Sequence, residues 1–330
     1  MRVFVTGEKG FIGRNLKERM QLFDNFEFVT GENSTMIYHK PGEPCVHQND
    51  IEEWKAFFAR NRVDVIIHNA ATVGTDVVAL DSTNSTLTNV AGTYNISRAA
   101  RQLDIPVCYM GTTVIYDAFK YQNEKITEAS SYGPHTLYGC QKLAAEYIVK
   151  SHAPKWMIIR PLFAYGGKGD MNSLIAKSIY ANLANKQVDM RLDPTKYKDY
   201  MHVSDYANAV LTGITQHLWN DEWNIAAETP HVTQNIIKMI EKICGLDMSN
   251  TINWKPASDY TGNHRLDSSK FRNATGWSPK IILTKGIRMS YEAILNSKDY
   301  NPLVHLEEAK KNKINVGEFF NEARIARKSI

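Results

Sequence analysis

Long apolar runs are missing from this chain. No stretch approaches the ~20 consecutive apolar residues that a membrane-spanning helix needs, so no membrane partner is expected. Cysteine is scarce. Cys45, Cys108, Cys140 and Cys244 are the four, none in a C-x-x-C pair and none beside histidines at metal-ligand spacing. They read as reduced, partly buried thiols, and no metal is expected. Blocks of a single charge are absent as well. The net charge of +4 is spread along the chain, which argues against nucleic-acid binding and suits an anionic partner such as a nucleotide diphosphate. Met1-Arg2 runs directly into Val3-Phe4-Val5, too short an apolar segment for a signal peptide. The expected location is a reducing cytoplasm.

What is present is enough apolar material, 43% of 330 residues, to bury one large core and a smaller attached one. Val3–Thr6, Phe26–Thr30, Val63–His68, Ile105–Met110 and Lys155–Arg160 read as β-rich runs, with a further short strand ending near His47. Between them lie helical patterns. Phe11, Ile12, Leu16 and Met20 share one face; Trp54, Phe57 and Phe58 form the stripe of Ile51–Asn61, with Asp50 as N-cap; two more helices cover about 89–103 and Tyr138–Lys150. Strands alternating with helices mean an α/β, doubly wound parallel sheet. After about residue 165 the rhythm loosens into short strands near 187–191, 199–203, 223–226 and 251–255, with helices at 204–216, 232–243 and 284–296. The expected division is therefore a domain over 1–165, to which later segments return, a smaller C-terminal substrate-binding lobe over 166–296, and an extension over 297–330. In that extension Phe319, Phe320 and Ala323 form a short stripe, expected to fold back as one or two helices.

Two local patterns carry chemistry. Gly7-Glu8-Lys9-Gly10-Phe11-Ile12-Gly13 stands between the first strand and the first helix. Glycines there let the backbone reverse, let a pyrophosphate approach and let helix and strand pack closely, while the helix N-terminus offers N–H donors. The spacing is G-x-x-G-x-x-G, not G-x-G-x-x-G, and its place between an N-terminal strand and a helix is what reads as a dinucleotide-binding turn. The second pattern is Tyr-x-x-x-Lys, which sets a phenol and an ammonium one turn apart on a helix face. The ammonium can lower the phenol pKa and hold a ribose hydroxyl. The pattern occurs at Tyr116/Lys120, Tyr121/Lys125 and Tyr138/Lys142. The first two fall in a polar stretch without helical periodicity; the third continues into Leu143-Ala144-Ala145-Glu146-Tyr147-Ile148-Val149, a helix with an apolar face. Thr112 and Thr113 follow the strand ending at Met110, where parallel sheets bind ligands.

Together these residues resemble the extended short-chain dehydrogenase/reductase family, the nucleotide-sugar epimerases, dehydratases and reductases, over about residues 1–295. The glycine turn is similar to the family's GxxGFIG, Asp50-Ile51 to its Asp-apolar pair beside the adenine, and His68-Asn69-Ala70-Ala71 to its HxAA turn. Asn89-Val90-Ala91-Gly92-Thr93-Tyr94-Asn95 resembles NVxGTxN, and Gly111–Tyr116 resembles SSxxVY, which puts the catalytic hydroxyl at Thr112. Arg160-Pro161 with Tyr165-Gly166, Asp199–Asp205 and Asp267-Ser268-Ser269-Lys270 with Gly276-Trp277-Ser278-Pro279 resemble RPxxxYG, DxxHVxD and DxSK…GWxP.

The resemblance implies a Rossmann fold and catalytic Thr112, Tyr138 and Lys142. It implies that Gly7, Lys9, Gly10, Phe11, Ile12, Gly13, Asp50, Ile51, Asn69, Ala70, Ala71, Asn89, Tyr138, Lys142 and Pro161 contact an NAD cofactor. Glu32, close after the second strand, favours NAD, whereas Lys9 could meet the extra phosphate of NADP. Thr112, Thr113, Lys198 and Arg265 are the expected contacts to a nucleotide-diphosphate sugar, the last two to its diphosphate. The family's dimers imply a homodimer through the helices at 89–103 and 138–150, the second with apolar Leu143, Tyr147 and Ile148.

Departures narrow the reaction. Family dehydratases carry Asp-Glu directly after the catalytic Thr; here Thr113 and Val114 stand there. Members that epimerise C3 and C5 carry a Cys where Val114 stands and a His after the RPxxxYG loop; no His occurs between Tyr165 and Tyr200. The usual substrate-contacting Asn is Phe163, and the Arg before Asp199 is Lys198. What the resemblance leaves is chemistry at C4: a 4-epimerase working through a 4-keto intermediate, with a 4-keto-sugar reductase as the alternative, and a dehydratase or a non-catalytic dinucleotide-binding sensor behind them.

Overall fold

The computed structural model describes residues 1–30, 51–117, 119–121, 124–167, 169–256 and 265–296. Cys45, Glu32, Asp50, the strand expected near His47 and the extension 297–330 lie outside these residues.

The chain opens with β1 (Arg2–Thr6), α1 (Phe11–Met20), β2 (Glu27–Val29), α2 (Ile51–Arg60) and β3 (Val65–His68). Three helical pieces follow, α3 (Thr75–Leu80), α4 (Ser82–Thr86) and α5 (Gly92–Gln102), the last two joined by a π-helical turn at Leu87–Ala91. Then come β4 (Val107–Met110), a 3-10 turn at Thr113–Ile115, α6 (Leu137–His152), β5 (Trp156–Pro161) and β6 (Phe163–Tyr165). The remainder is α7 (Leu174–Leu183), β7 (Val188–Met190), β8 (Tyr197–Lys198), β9 (Tyr200–His202), α8 (Val203–Thr215), β10 (Asp221–Ile225), β11 (His231–Val232), α9 (Thr233–Cys244), β12 (Ile252–Trp254), α10 (Ser269–Thr275) and α11 (Leu283–Leu295).

Six strands form one parallel sheet in the order β10-β5-β4-β3-β1-β2. The order reverses at β1, so the loops after β1 and β3 diverge and leave a crevice at their carboxyl ends. Strand alternation builds both faces. Val3, Val5, Val65, Ile67, Cys108, Met110, Met157 and Ile159 pack on one side with Leu16 and Met20 of α1, residues of α8, and Phe271 of α10. Phe4, Ile66, Val107, Tyr109 and Ile158 pack on the other with Trp54, Phe57 and Phe58 of α2, Ile96 of α5 and Val149 of α6. This is the expected doubly wound Rossmann sheet.

A separate apolar cluster joins α7, α9 and α11 through Leu174, Ile179, Ile236, Ile240, Ile287 and Ile294. Two segments read into this part of the chain instead serve the large sheet. β10 pairs with β5, Asp221 opposite Met157, and α8 lies against α1 in the first face. The stripe of α8, Ala207, Val210, Leu211 and Ile214, is fully buried there, and local periodicity carries no information about which core a stripe enters.

The helix read at about 89–103 begins as α5 only at Gly92, because the preceding turn is π-wound. Leu143, one of the three apolar residues expected at the dimer face of α6, packs against the buried cluster that includes Ile115 and Leu162, whereas Tyr147 is 53% exposed. Cys108 and Cys244 are buried free thiols and Cys140 is exposed. Among the described residues no helix is long and apolar enough to cross a membrane.

Candidate active site

The turn after β1 is forced by its neighbours. Gly7 adopts φ +68°, and a Cβ there would lie 3.0 Å from the Ala70 Cα. The Gly10 N–H donates to the Gly7 carbonyl at 3.0 Å. A Cβ at Gly13 would run into that same carbonyl and lie 2.7 Å from the Glu8 Cα, so α1 can approach β1 only with glycine here. Gly10 is the N-cap of α1 and no side chain accepts its first N–H groups, which leaves those donors to a bound group. A pyrophosphate fits such a cradle. Lys9 is exposed on the turn, Phe11 and Ile12 are half-buried behind it, and Ile51 opens α2.

The loop after β3 is fixed by a chain of hydrogen bonds that assigns every proton. The Thr93 hydroxyl donates to the Asn89 carbonyl at 2.7 Å, so it accepts from Nε2 of His68 at 3.0 Å. Nδ1 of His68 then accepts from the Thr6 hydroxyl at 2.8 Å. The Thr6 oxygen accepts the Asn69 and Ala70 N–H groups at 3.0 and 2.9 Å. His68 is thus a neutral ring, and burial, with the Lys142 charge second, pushes its pKa down to about 3. It holds Asn69, Ala70 and Ala71 beside Gly7.

Asn89 projects from the π-helical turn and is buried. Its amide oxygen accepts from the Thr72 N–H at 2.8 Å, and its nitrogen donates to the Thr72 carbonyl and to Gln141 at 2.9 and 2.8 Å. Single π turns occur often at functional sites, where they re-aim a side chain. Here the side chain ties the β3 loop to α6, so any effect of Asn89 on the cofactor runs through the loop.

α6 starts where the Thr136 hydroxyl caps the Gly139 N–H at 3.0 Å. A Cβ at Gly139 would lie 2.8 Å from the Val114 carbonyl. That close approach draws the first turn of α6 onto the 3-10 turn after β4 and brings Tyr138 to Thr112, the two sharing a hydrogen bond. The Thr112 oxygen also accepts from the Val114 N–H at 3.4 Å. Lys142, one turn along, is buried; its ammonium donates to the Met110 carbonyl at 2.7 Å and stands 4.2 Å over the Tyr109 ring. Burial pushes Lys142 down to about 7, against the pull of Glu146.

Burial likewise pushes Tyr138 up to about 12, with the Thr112 hydrogen bond working the other way. The lowering of the phenol by the lysine, expected from the spacing, is not what the structure has. The ammonium is turned to Met110, and desolvation outweighs any field from it. Thr113 is buried and Val114 half-buried beside Thr112. Pro161 ends β5. The other two Tyr-x-x-x-Lys matches lie on no helix: the Tyr116 hydroxyl is spent on Asn224 and that of Tyr121 on Ser131.

The expected diphosphate cations differ in setting. Lys198, on β8, is 1% exposed, with its ammonium 5.3 Å over the Phe163 ring, and burial pushes it down to about 8. Arg265 is exposed, and its carbonyl accepts from the Ile126 N–H at 2.7 Å. The Asp199–Asp205 segment is tied into structure. The Asp199 carboxylate accepts from the Glu228 and Thr229 N–H groups, and that of Asp205 from those of Lys280 and Ile281.

Sequence reasoning missed Glu146 and Arg160 as parts of the site. Arg160 is completely buried and gives three hydrogen bonds to the Glu146 carboxylate, at 3.2, 3.2 and 2.8 Å. The available signal was the stripe Tyr138, Lys142, Glu146 at intervals of four.

Known proteins share this fold. A dTDP-glucose 4,6-dehydratase of Neisseria gonorrhoeae is 23% identical over 335 aligned positions, covering 90% of this chain and 96% of its own. A UDP-glucose 4-epimerase of Thermotoga maritima, solved with UDP-glucose, superposes with a TM-score of 0.74 at 20% identity, over 88% of this chain and 98% of its own. A dTDP-glucose 4,6-dehydratase of Bacillus anthracis, solved with NAD, gives 0.76 at 20% identity, over 91% and 98%. The family model described as NAD dependent epimerase/dehydratase matches residues 3–226, from β1 through the last strand of the large sheet. This chain is a member of the NAD-dependent epimerase/dehydratase family, whose enzymes modify nucleotide sugars.

Proposed function

We propose that the protein is a nucleotide-sugar 4-epimerase acting through a 4-keto intermediate. The observation that carries this reading is the content of the loop after β4. Thr112 meets Tyr138 there, with Lys142 one turn behind, while Thr113 and Val114 fill the two positions where the family's dehydratases resemble one another in carrying an acid and a base. Neither side chain can remove water from a sugar, even though the sequence relatives named above are dehydratases.

A bound dinucleotide supplies a reversible acceptor for the C4 hydride. The chain does the rest. Gly7, Gly10 and Gly13 admit the pyrophosphate, and neutral His68 fixes the loop beside it. Thr112 holds the sugar 4-oxygen, and Tyr138 as phenolate takes its proton. Lys142, bonded to the Met110 carbonyl, holds the ribose. Tyr138 returns the proton once the 4-keto sugar has turned its other face. Lys198, buried beside Phe163, is the better placed of the two cations to meet a diphosphate in a desolvated setting.

Mass spectrometry of the nucleotide released on denaturing the purified protein, together with turnover of candidate nucleotide sugars, tests this. Retained NAD and interconversion of 4-epimers without added cofactor are expected. A protein that emerges empty and consumes external reduced cofactor is a 4-keto-sugar reductase, and one that does neither is a sensor. The proposal includes a homodimer through the outer faces of α5 and α6, where Tyr94 and Tyr147 are exposed. Light scattering should give twice the chain mass at micromolar concentration; a single species of monomer mass would rule the dimer out.

A further inference from the structure

We propose that Glu146 is a positioning residue for this site: clamped by Arg160 and seated in the space that Gly111 leaves open, it is the counter-ion that keeps Lys142 an ammonium. The inference rests on Lys142 being the lysine of the site, as proposed above.

The geometry is compact. Lys142 and Glu146 are one turn apart on α6, 3% and 1% exposed. Their heads flank the same peptide. The ammonium is bonded to the Met110 carbonyl at 2.7 Å, and Oε1 of Glu146 lies 2.6 Å from where a Cβ on Gly111 would stand. Any side chain at 111 would displace the carboxylate from beneath the β4 loop. Arg160 holds it from the other side with Nε and Nη2. Nη1 and Nη2 of Arg160 also donate to the hydroxyls of Tyr116 and Tyr132 at 2.7 and 2.9 Å, and Glu222 stands 3.4 Å away. Glu222 in turn pairs with Lys150. A line of alternating charge thus runs from the site to the edge of the sheet: Lys142, Glu146, Arg160, Glu222, Lys150.

The groups around Lys142 leave Glu146 as its one negative neighbour among the described residues. From β3 comes His68, held neutral; from β4 the Tyr109 ring; from β5 the cationic Arg160; from its own helix the un-ionised Tyr138. α5 sets Tyr94 against His152, ten residues further along α6. A buried lysine loses its proton unless a carboxylate opposes the desolvation, and burial brings Lys142 down to about 7 even with Glu146 pulling the other way. Arg160 belongs to the device because its hydrogen bonds and charge oppose the burial that raises the Glu146 carboxyl above its ordinary range.

The test follows the Lys142 ammonium in the full-length protein by NMR of ¹³C-labelled lysine, assigned with Lys142→Arg. The midpoint in the unsubstituted protein should lie near 7. In Glu146→Gln it should fall by about one pH unit or more. In Glu146→Asp, which keeps the charge, it should return to within a few tenths of a unit. The alkaline limb of kcat/KM should move with it. Should Glu146→Gln fail to fold because Arg160 loses its partner, the double variant Glu146→Gln/Arg160→Met keeps the core neutral and should show the same fall. An unchanged Lys142 midpoint in either folded variant overturns the proposal. The titration needs no substrate, so it stands apart from the identity of the reaction.

Discussion

Tyr138→Phe should lower turnover by about 10²–10⁴-fold, the usual contribution of a positioned acid or base, and leave Tm within about 2 °C of the parent. The substitution removes one oxygen. Its partner Thr112 keeps a role in capping the 3-10 turn through the Val114 N–H, and the ring stays between α6 and the β4 loop. Cofactor retention should therefore survive. Because burial holds the phenol at about 12, the parent enzyme should gain turnover as pH rises and the phenolate becomes more populated, up to the loss of the Lys142 proton near 7, and Tyr138→Phe should lose that rising limb. Activity within a few-fold of the parent, or an unchanged rise with pH, would remove Tyr138 from the chemistry.

Gly13→Ala should cost roughly 3 kcal/mol or more, lowering Tm by several degrees, and should abolish cofactor retention. The new methyl meets backbone, the Gly7 carbonyl and the Glu8 Cα, not a side chain that can swing away. Relief requires α1 to lift from β1, and that opens the cradle for the pyrophosphate. Gly276→Ala is the comparison. Gly276 closes α10 at φ +70°, where nothing lies within 4 Å of the position, so only the backbone preference is lost, about 1 kcal/mol. Calorimetry on both variants separates the two costs. If Gly13→Ala is no less stable than Gly276→Ala and still carries its nucleotide, the tight packing of the turn has no functional weight.

The parts of this molecule that could be read from residues alone are those decided locally. Gly10 and Gly13 of the glycine turn are fixed by backbone atoms within seven residues, and Tyr138 and Lys142 by a single helical turn. Strands such as Val65–His68 declare themselves because both faces are buried. What escaped reading depends on distant partners. Nothing near Asp221–Ile225 says that it pairs with Trp156–Pro161. The π-wound start of α5 follows from the bonds Asn89 makes to Thr72 and Gln141, residues 17 and 52 positions away. Arg160 followed by Pro161 was legible as a motif, yet its task, clamping a carboxylate on the neighbouring helix, appears only once β5 lies beside α6. Even the catalytic pair was read with the wrong electrostatics. Spacing gives proximity, whereas the shift of each group is set by how much water the fold removes.

The lateness of β10 and α8 has a consequence for how the protein is made. A nascent chain that has completed β5 at residue 161 still presents an unpaired strand edge and a sheet face covered only by α1, with Met157 and Ile159 on it. About 60 residues must follow before β10 can close that edge. At the ~5–20 residues per second of ribosomal synthesis, this takes roughly 3–12 seconds. During that interval the half that holds the glycine turn, Thr112, Tyr138 and Lys142 is fully synthesised but sticky, and it depends on chaperones or on the ribosome surface to stay apart from its copies. A gene split between these two halves would have to bring them back together before either could persist.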